Sequence, residues 1–295
     1  MNQHTQPPAT LLAWVEHFVE PIDFVQDASM PRSNSRVWRI TSGRRSVFLK
    51  ISPTPSFFAR ETRAYRSCVP ALEPRQAPRL LASRPTHLAL LLTQVPGEPI
   101  KTLPRIPSTH GAIHRQAGAW LRKFHGEQEL VRDERGEALA ELARAAQGAE
   151  RHLQDAGTLL TEPEYKLVRL HAEALNELGP LPLGFVHGDF QERNWLWHTD
   201  ARRLGVIDYE RSRPYVQVYD FIKLAGGPWA DDPALRNAFF EGFGRDLTFD
   251  EHQALRCLGA LDAASAIAWG SAHGDHTIVE RGHRTLARLT AGEEL

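Results

Sequence analysis

Apolar and polar residues alternate with a period of two in several short runs of the first hundred residues. This period is typical of β-strands, because successive side chains of a strand point to opposite faces of its sheet. One longer run, SFFARETRAYRSC (56–68), has the spacing of a helix instead. The predicted strands are IDFVQDA (22–28), RVWRI (36–40), SVFLKI (46–51) and LALLLTQV (88–95).

Beyond residue 100 the apolar residues recur every three to four positions, which predicts amphipathic helices. A β-like segment that includes LGVIDYE (204–210) interrupts them, and residues 217–290 are predicted to be helical again. The chain is therefore predicted to be an α+β protein with a β-rich N-terminal lobe over 1–95 and a mainly helical C-terminal lobe over 96–295. The first predicted helices of the second lobe are AIHRQAGAWLRKFH (112–125), ERGEALAELARAAQGAERHLQ (134–154) and EYKLVRLHAEALNEL (164–178).

Composition and charge exclude several classes of function. The chain has 295 residues, of which 42% are hydrophobic and 24% charged, as in an ordinary globular protein. A formal net charge of −1 provides no general attraction to nucleic acid or to an anionic membrane, so neither partner is expected. Cys68 and Cys257 lack CxxC spacing, and the N-terminus lacks a basic start followed by an apolar run. The sequence predicts a cytoplasmic protein and leaves its oligomeric state open.

Lys50 and Glu61 are the first candidate pair for chemistry. Lys50 lies in the apolar strand SVFLKI, and Glu61 lies on the apolar face of the next helix, where an unpaired carboxylate is costly. Two interpretations are open: each residue is a charge at the edge of an apolar surface, or Glu61 pairs with Lys50 across the sheet. In the second case the pair would fix the lysine ammonium for a polyanion such as a nucleotide phosphate.

The segment FVHGDFQERNWLW (185–197) concentrates titratable and amide side chains between apolar flanks. Asn194 begins an alternating strand, and after a turn LGVID (204–208) predicts the partner strand of a hairpin. Such a hairpin would bring Asn194 and Asp208 together, and Mg²⁺ prefers oxygen ligands of this kind. Asp189, on the loop itself, is free to accept the proton of a hydroxyl group.

These motifs resemble those of the aminoglycoside phosphotransferase and choline kinase-like family, which has the protein-kinase-like fold. HGDFQERN (187–194) is similar to the family's HxDxxxxN catalytic loop, and VIDYE (206–210) to its metal-binding segment. SNSRVWRI (33–40) resembles its nucleotide-covering turn, VFLK (47–50) its strand lysine, and AGAWLRKFH (117–125) the helix after its linker. The resemblance covers most of the chain and implies a bilobal small-molecule kinase. Its implied activity is an ATP-dependent O-phosphotransferase that moves the γ-phosphate of MgATP to a hydroxyl group of a small acceptor molecule.

The resemblance also implies roles for the matching residues. Asp189 would be the catalytic base, and His187 would complete the catalytic set by bracing the loop. Asn194 and Asp208 would be Mg²⁺ ligands, so that ATP and Mg²⁺ are the implied cofactors. The implied nucleotide contacts are Lys50 at the α- and β-phosphates, Glu61 holding Lys50, the turn of Ser33, Asn34 and Ser35 over the phosphates, and the backbone of Gln94 and Val95 at the adenine.

Several positions depart from the protein-kinase pattern or have no implied role. The segment 28–40 contains no glycine, DYE replaces DFG, and no APE segment follows, which argues against a protein substrate. Asp220 matches a structural acid of the family that ties the catalytic loop to the following helices. Glu192 and Arg193 have no implied role and are expected to face solvent.

The sequence leaves the acceptor open. The first interpretation is an antibiotic of the aminoglycoside, nucleoside or peptide type, phosphorylated as a resistance mechanism. The alternative is a kinase of a small metabolite, such as a choline-like amine, a sugar or an amino acid. A non-catalytic nucleotide-binding protein of the same fold is disfavoured by the intact set of candidate residues.

A second histidine-rich motif, AHGDH (272–276), keeps a metal-dependent phosphoesterase open as a further alternative. Its histidines and aspartate would join His187, Asp189 and Asp208 around a metal ion. Because the motif lies between two helical stretches and lacks flanking strands, it is predicted to be a solvated turn instead.

Overall fold

The computed structural model describes residues 6–29, 34–126 and 129–295, and the chain divides into two compact units. The first unit comprises Met1–Leu103 with Arg193–Ser212, and the second comprises Pro104–Glu192 with Arg213–Leu295. The short segment around the IDYE motif therefore belongs to the unit that contains the N-terminal strands. The lobe boundary that the sequence predicts after residue 95 stays a prediction.

The described part of the first unit contains a five-stranded antiparallel sheet of order β1-β2-β3-β5-β4. Four of its strands were predicted from their short β-like runs, and β4 was missed. This strand, LLASR, lies at the sheet edge with only partly buried or exposed residues, so it lacks the alternation that marks a half-buried strand. The bounds are β1 Phe24–Asp27, β2 Arg36–Ser42, β3 Arg45–Ile51, β4 Leu80–Arg84 and β5 Ala89–Thr93.

The alternation in β3 separates the two faces of this sheet. Val47 and Leu49 belong to a buried cluster that also contains Leu11 and Val15 of helix α1 (Ala9–Val15). Helix α1, which the sequence analysis did not predict, thus contributes apolar side chains to the core of the first unit. The side chain of Lys50 is on the other face, because it alternates with Leu49.

Helix α2 (Pro55–Ser67) carries Glu61 toward Lys50. The helix begins at Thr54, whose hydroxyl accepts a hydrogen bond from the backbone N–H of Phe57 at 3.2 Å, and Pro55 occupies the first helical position. This start corresponds to the predicted helix within one residue. Glu61 lies in the middle of the helix and is completely buried.

The predicted hairpin around IDYE is present in the first unit. Strand β8 (Trp195–His198) pairs antiparallel with β9 (Arg203–Val206), and the two-residue strand β6 (Glu98–Pro99) pairs with β8 on its other side. Gly97 adopts φ +121°, and a Cβ atom there would lie 2.7 Å from the carbonyl carbon of Trp197. The linker after β5 therefore packs against the backbone of the hairpin.

The second unit is mainly helical, with a two-stranded antiparallel ladder between β7 and β10. The long helix predicted over 134–154 is divided into two helices at Gly148, since glycine is a weak helix former. No helix in the described ranges is both long enough and apolar enough to cross a lipid bilayer. The bounds are α3 Pro107–Gly126, α4 Arg132–Gln147, α5 Ala149–Ala156, α6 Glu162–Leu175, β7 Leu183–Val186, β10 Arg213–Val216, α7 Ile222–Ala225, α8 Pro228–Asp231, α9 Pro233–Phe243, α10 Phe249–Ala272 and α11 His276–Thr290.

The AHGDH motif forms the connection between α10 and α11. Asp275 caps α11 by accepting a hydrogen bond from the backbone N–H of Ile278 at 3.3 Å. His273 and His276 are exposed. The prediction of a solvated turn is confirmed, and these residues have a structural account without a metal ion.

Helices α3 and α9 approach each other closely at two glycines. A Cβ atom on Gly118 of α3 would overlap the carbonyl oxygen of Phe239, and one on Gly242 of α9 would overlap the carbonyl oxygen of Arg115. Both obstacles are backbone atoms, which cannot turn away as a side chain can. The position of α3 in the second unit therefore depends on these two glycines.

We expect Gly118→Ala to lower the free energy of unfolding by about 2 kcal/mol, because the added methyl group pushes two backbones apart. Gly111→Ala in the same helix is the matched control, since a Cβ atom there meets nothing within 4 Å. The control should raise stability by about 0.5–1 kcal/mol through helix propensity. Urea denaturation followed by circular dichroism measures both, and equal effects would contradict the close approach.

Candidate active site

Lys50 is the centre of a buried ion cluster in the first unit. Among the described residues, three carboxylates lie within ion-pair distance of its Nζ atom: Glu61 Oε2 at 2.9 Å, Asp208 Oδ1 at 2.7 Å and Glu210 Oε2 at 3.0 Å. The Lys50–Glu61 pair that the sequence analysis considered is thus present. Asp208 joins it, although the sequence analysis did not anticipate this contact. Glu210 was missed as well, and its only signal was its place in the quoted VIDYE segment.

Charge and burial act in opposite directions within this cluster. Burial by itself would lower the pKa of Lys50, but the charges of Asp208, Glu61 and Glu210 together raise it well above its ordinary value. Burial raises the pKa of Glu61 from 4.5 to about 7, with Asp208 and Glu210 adding to the rise and Lys50 opposing it. With every group ionised, the cluster has two surplus negative charges. Such a surplus suits a divalent cation.

The hairpin brings the two candidate metal ligands to one place in the first unit. The carbonyl oxygen of Asn194 accepts a hydrogen bond from the backbone N–H of Ile207 at 3.0 Å, so Asn194 is next to the chain that leads into Asp208. Asp208 adopts φ +71°, a left-handed conformation that aspartate tolerates better than most residues. Its side chain is one-third exposed, whereas Asn194 is buried. The side-chain amide oxygen of Asn194 and the carboxylate oxygens of Asp208 are ligands of the kind that Mg²⁺ prefers.

The predicted nucleotide contacts in the turn before β2 are only partly described. Ser35 is buried, and its hydroxyl donates a hydrogen bond to Glu210 Oε2 at 2.7 Å, which links the turn to the ion cluster. Asn34 is exposed, and Ser33 lies outside the described residues. The phosphate contacts assigned to this turn stay predictions.

Gln94 and Val95 follow directly on β5, in the linker. Gln94 is exposed. Val95 is buried against Gly205, and a Cβ atom on Gly205 would overlap the Cγ1 atom of Val95. Nothing in the described part of the chain tests a role of their backbone groups at an adenine ring, so that role stays a prediction.

In the second unit, Asp220 fixes the start of the loop that contains Asp189. Its two carboxylate oxygens accept hydrogen bonds from the backbone N–H groups of His187 and Gly188, both at 2.8 Å. His125 Nε2 lies 2.9 Å from Oδ2 of the same carboxylate. Gly188 adopts φ +80°, which lets the chain bend after β7. The connection that the sequence analysis expected at Asp220 is present, whereas its contact with His125 was not anticipated.

Asp189, the candidate base, is buried and held by its neighbours in the loop. Its carboxylate Oδ1 accepts a hydrogen bond from the side-chain amide of Gln191. Its backbone N–H donates to His187 Nδ1 at 3.3 Å, and the His187 ring packs edge-on against Trp120 with centroids 6.3 Å apart. His187 is fully buried, which agrees with a bracing position.

The expectation that Glu192 faces solvent was wrong. Its carboxylate lies 3.2 Å from Nε2 of His114, a fully buried residue of α3, and only about a quarter of the Glu192 side chain is exposed. Burial acts to raise the pKa of Glu192, but the hydrogen bond with His114, together with the positive charge of Arg105, holds it below its ordinary value. No local pattern predicts this contact, because 78 positions separate the two residues in the sequence. Arg193, by contrast, is exposed as expected.

The raised pKa of Glu61 predicts a pH-dependent stability of the protein without metal and nucleotide. Because the pKa is about 7 in the folded chain and 4.5 ordinarily, protonated Glu61 stabilises the fold below about pH 4.5, and this contribution is lost as the pH rises through 7. We expect the free energy of unfolding of the wild type, minus that of Glu61→Gln, to fall by more than about 1 kcal/mol over this range. Urea titrations at several pH values measure it. A difference that stays constant or rises would contradict the prediction.

Comparison with known proteins identifies the family. Residues 25–258 match the profile of the phosphotransferase enzyme family (APH), whereas comparison with curated proteins finds no match. Similar solved structures include the GDP and kanamycin complex of APH(2″)-IIIa, with 13% identity, a TM-score of 0.68 and coverage of 96% of this chain and 98% of that chain. A choline/ethanolamine kinase family protein from Mesorhizobium loti has 18% identity, a TM-score of 0.68 and coverage of 96% and 92%. Spectinomycin phosphotransferase APH(9)-Ia, in complex with ADP and spectinomycin, has 14% identity, a TM-score of 0.62 and coverage of 97% and 93%.

At these identities the solved structures establish the kinase-like fold, which confirms the predicted fold class. The profile match spans more than three-quarters of the chain and includes the catalytic-loop and IDYE motifs from which the resemblance was drawn. This chain therefore belongs to the phosphotransferase enzyme family and is a small-molecule phosphotransferase with a kinase-like fold.

Proposed function

We propose that this protein is an ATP-dependent O-phosphotransferase that moves the γ-phosphate of MgATP to a hydroxyl group of a small molecule. The observation that carries the proposal is the buried contact of Lys50 with both Glu61 and Asp208. An ammonium group held by acids from two other segments is suited to a polyanionic ligand, since it is positioned and charged before the ligand arrives. A phosphoesterase built on histidine ligands has no need of this lysine.

In the proposed reaction Lys50 contacts the α- and β-phosphates, and Glu61 keeps its ammonium in place. Asn194 and Asp208 would hold Mg²⁺, which would neutralise charge on the phosphate oxygens. Backbone and hydroxyl groups of residues 33–35 complete the contacts to the phosphates. The two surplus negative charges of the ion cluster support the choice of a divalent cation.

Asp189 acts on the acceptor in this proposal. It orients the acceptor hydroxyl, whose oxygen forms a bond to the γ-phosphorus while the bond to the bridging oxygen of ADP breaks. The hydroxyl proton passes to the Asp189 carboxylate late in the transfer, so a carboxylate of low basicity is sufficient. The hydrogen bond from Gln191 fixes the orientation of the Asp189 carboxylate. A carboxylate with a fixed orientation can in turn orient the acceptor hydroxyl, which supports this role.

For the acceptor we propose an antibiotic with several hydroxyl groups, phosphorylated as a resistance mechanism in a cytoplasmic setting. The similar structures support a small hydroxylated acceptor, since one was solved with kanamycin and another with spectinomycin. A metabolite kinase is the second candidate, because the similar protein from Mesorhizobium loti belongs to the choline/ethanolamine kinase family. Both nucleotide types belong in the test, since those complexes contain GDP and ADP.

We expect Asp189→Asn to reduce phosphoryl transfer by about a thousandfold or more, because the amide can orient a hydroxyl but cannot take its proton. ATP affinity, measured by calorimetry, should change less than about threefold. The assay couples ADP release to a panel of aminoglycosides, other antibiotics, choline-like amines and sugars, with mass spectrometry for the phosphate adduct.

Asp200→Asn is the matched control, since Asp200 is an exposed residue of the hairpin turn and should leave turnover unchanged. Near wild-type transfer by the Asp189 variant would exclude the proposed base. Phosphate release without any acceptor would favour the phosphoesterase alternative.

A further inference from the structure

Three buried side chains of helix α3 contact the loop that contains Asp189 or the residues that support this loop. His114 and His125 are eleven positions apart, about three helical turns, and so lie on the same side of the helix. Both are buried, with relative exposures of 0% and 3%. Trp120 lies between them along the helix and is also buried. The three side chains contact different points of the loop or of its support.

His125 acts at the start of the loop. Its Nε2 lies 2.9 Å from Oδ2 of Asp220, and the same oxygen accepts the backbone N–H of His187. The other oxygen accepts the N–H of Gly188. Because an imidazole N–H fixes the plane of the carboxylate, it also fixes the direction of the two backbone groups that this carboxylate holds.

Trp120 acts at the middle of the loop. Its ring stacks on Phe190, the residue after Asp189, with centroids 5.5 Å apart and an interplanar angle of 15°. It also packs edge-on against His187, the residue two positions before Asp189. The aromatic contacts therefore restrain the chain on both sides of the candidate base.

His114 acts at the end of the loop, through Glu192. Its Nδ1 accepts a hydrogen bond from the indole Nε1–H of Trp229 at 3.4 Å, so Nε2 carries the ring proton and donates it to Glu192 Oε1 at 3.2 Å. The indole thereby selects the tautomer that can bind the carboxylate.

Stability alone does not account for this arrangement. A fully buried imidazole is costly, and an apolar side chain of similar volume would stabilise the helix packing as well or better. Here the imidazole holds a glutamate that is still partly exposed, in the three-residue segment that follows Asp189. The close contact of α3 with α9 at Gly118 and Gly242 keeps the helix itself in place.

We propose that His114 is a positioning residue, which fixes the end of the loop of residues 187–192 through Glu192 and thereby sets the direction of the Asp189 carboxylate. The inference rests on the proposed function, because it assigns a purpose to the direction of Asp189. His114 does not contact the reacting groups in this scheme. The loop is held at its start, middle and end by one helix.

A matched pair of variants at His114 tests the inference. Glutamine places its amide nitrogen near the position of imidazole Nε2 and can still donate to Glu192, whereas asparagine reaches only the position of Nδ1. We expect His114→Asn to lower kcat by about 10- to 100-fold with little change in KM for ATP, because a displaced base loses orientation. His114→Gln should recover most of this loss. Equal kcat values for the two variants would overturn the inference.

The loss of kcat caused by His114→Asn should depend on Glu192. In a Glu192→Ala background, His114→Asn should have little further effect on kcat, because the contact that it breaks is already absent. Additive losses would overturn the positioning role. His171→Ala is the matched control: His171 is a buried histidine of α6 in the same unit, 3.6 Å from Cys257 Sγ, and its loss should leave kcat within about twofold if stability is preserved.

A spectroscopic measurement tests the contacts without any turnover. In protein labelled with ¹⁵N-tryptophan, the indole N–H signal of Trp229, assigned with Trp229→Phe, should shift in Glu192→Ala and stay in place in His171→Ala. An unmoved signal in the Glu192 variant would overturn the hydrogen-bond chain. If the wild type transfers phosphate to no acceptor, the proposed function fails, and this signal still reports separately on the chain of contacts.

Discussion

The ion cluster of Lys50 is the interaction on which the first unit depends most. It joins strand β3, helix α2 and the segment after β9, which are far apart in the sequence. A buried ammonium is tolerated only because carboxylates surround it, and removing the lysine would leave these carboxylates repelling one another. The same constraint determines which ligands suit the site. One lysine does not neutralise three carboxylates, so the cluster favours a cation that binds together with a polyanionic ligand.

In the second unit a single carboxylate, that of Asp220, fixes the start of the loop that contains Asp189. Asp220 accepts two consecutive backbone N–H groups and a histidine, and so converts the bend after β7 into a defined loop. Phosphoryl transfer depends mainly on positioning of the reacting groups and on neutralisation of charge on the phosphate oxygens. In our proposal the cluster at Lys50 supplies charge, and the loop held by Asp220 supplies direction to Asp189.

Much of the first unit and part of the site could be predicted from the sequence. The alternation in β2 and β3, the continuous apolar run of β5 and the apolar face of α2 depend on neighbouring residues, so local patterns reveal them. Glu61 could be connected with Lys50 because a carboxylate on an apolar helix face requires a partner. Helix α1 was missed because it is only seven residues long, and the break at Gly148 because a single glycine hardly disturbs an amphipathic pattern.

The sequence by itself determined the family, the order of the elements and the catalytic-loop and IDYE motifs, because these are local patterns of residue type and spacing. Only the tertiary structure decided which side chains hold them. His114 meets Glu192 across 78 positions and His125 meets Asp220 across 95, and nothing near either histidine in the sequence indicates its partner. Such contacts arise from packing, since the close approach of α3 to α9 sets where the buried face of α3 lies in the second unit.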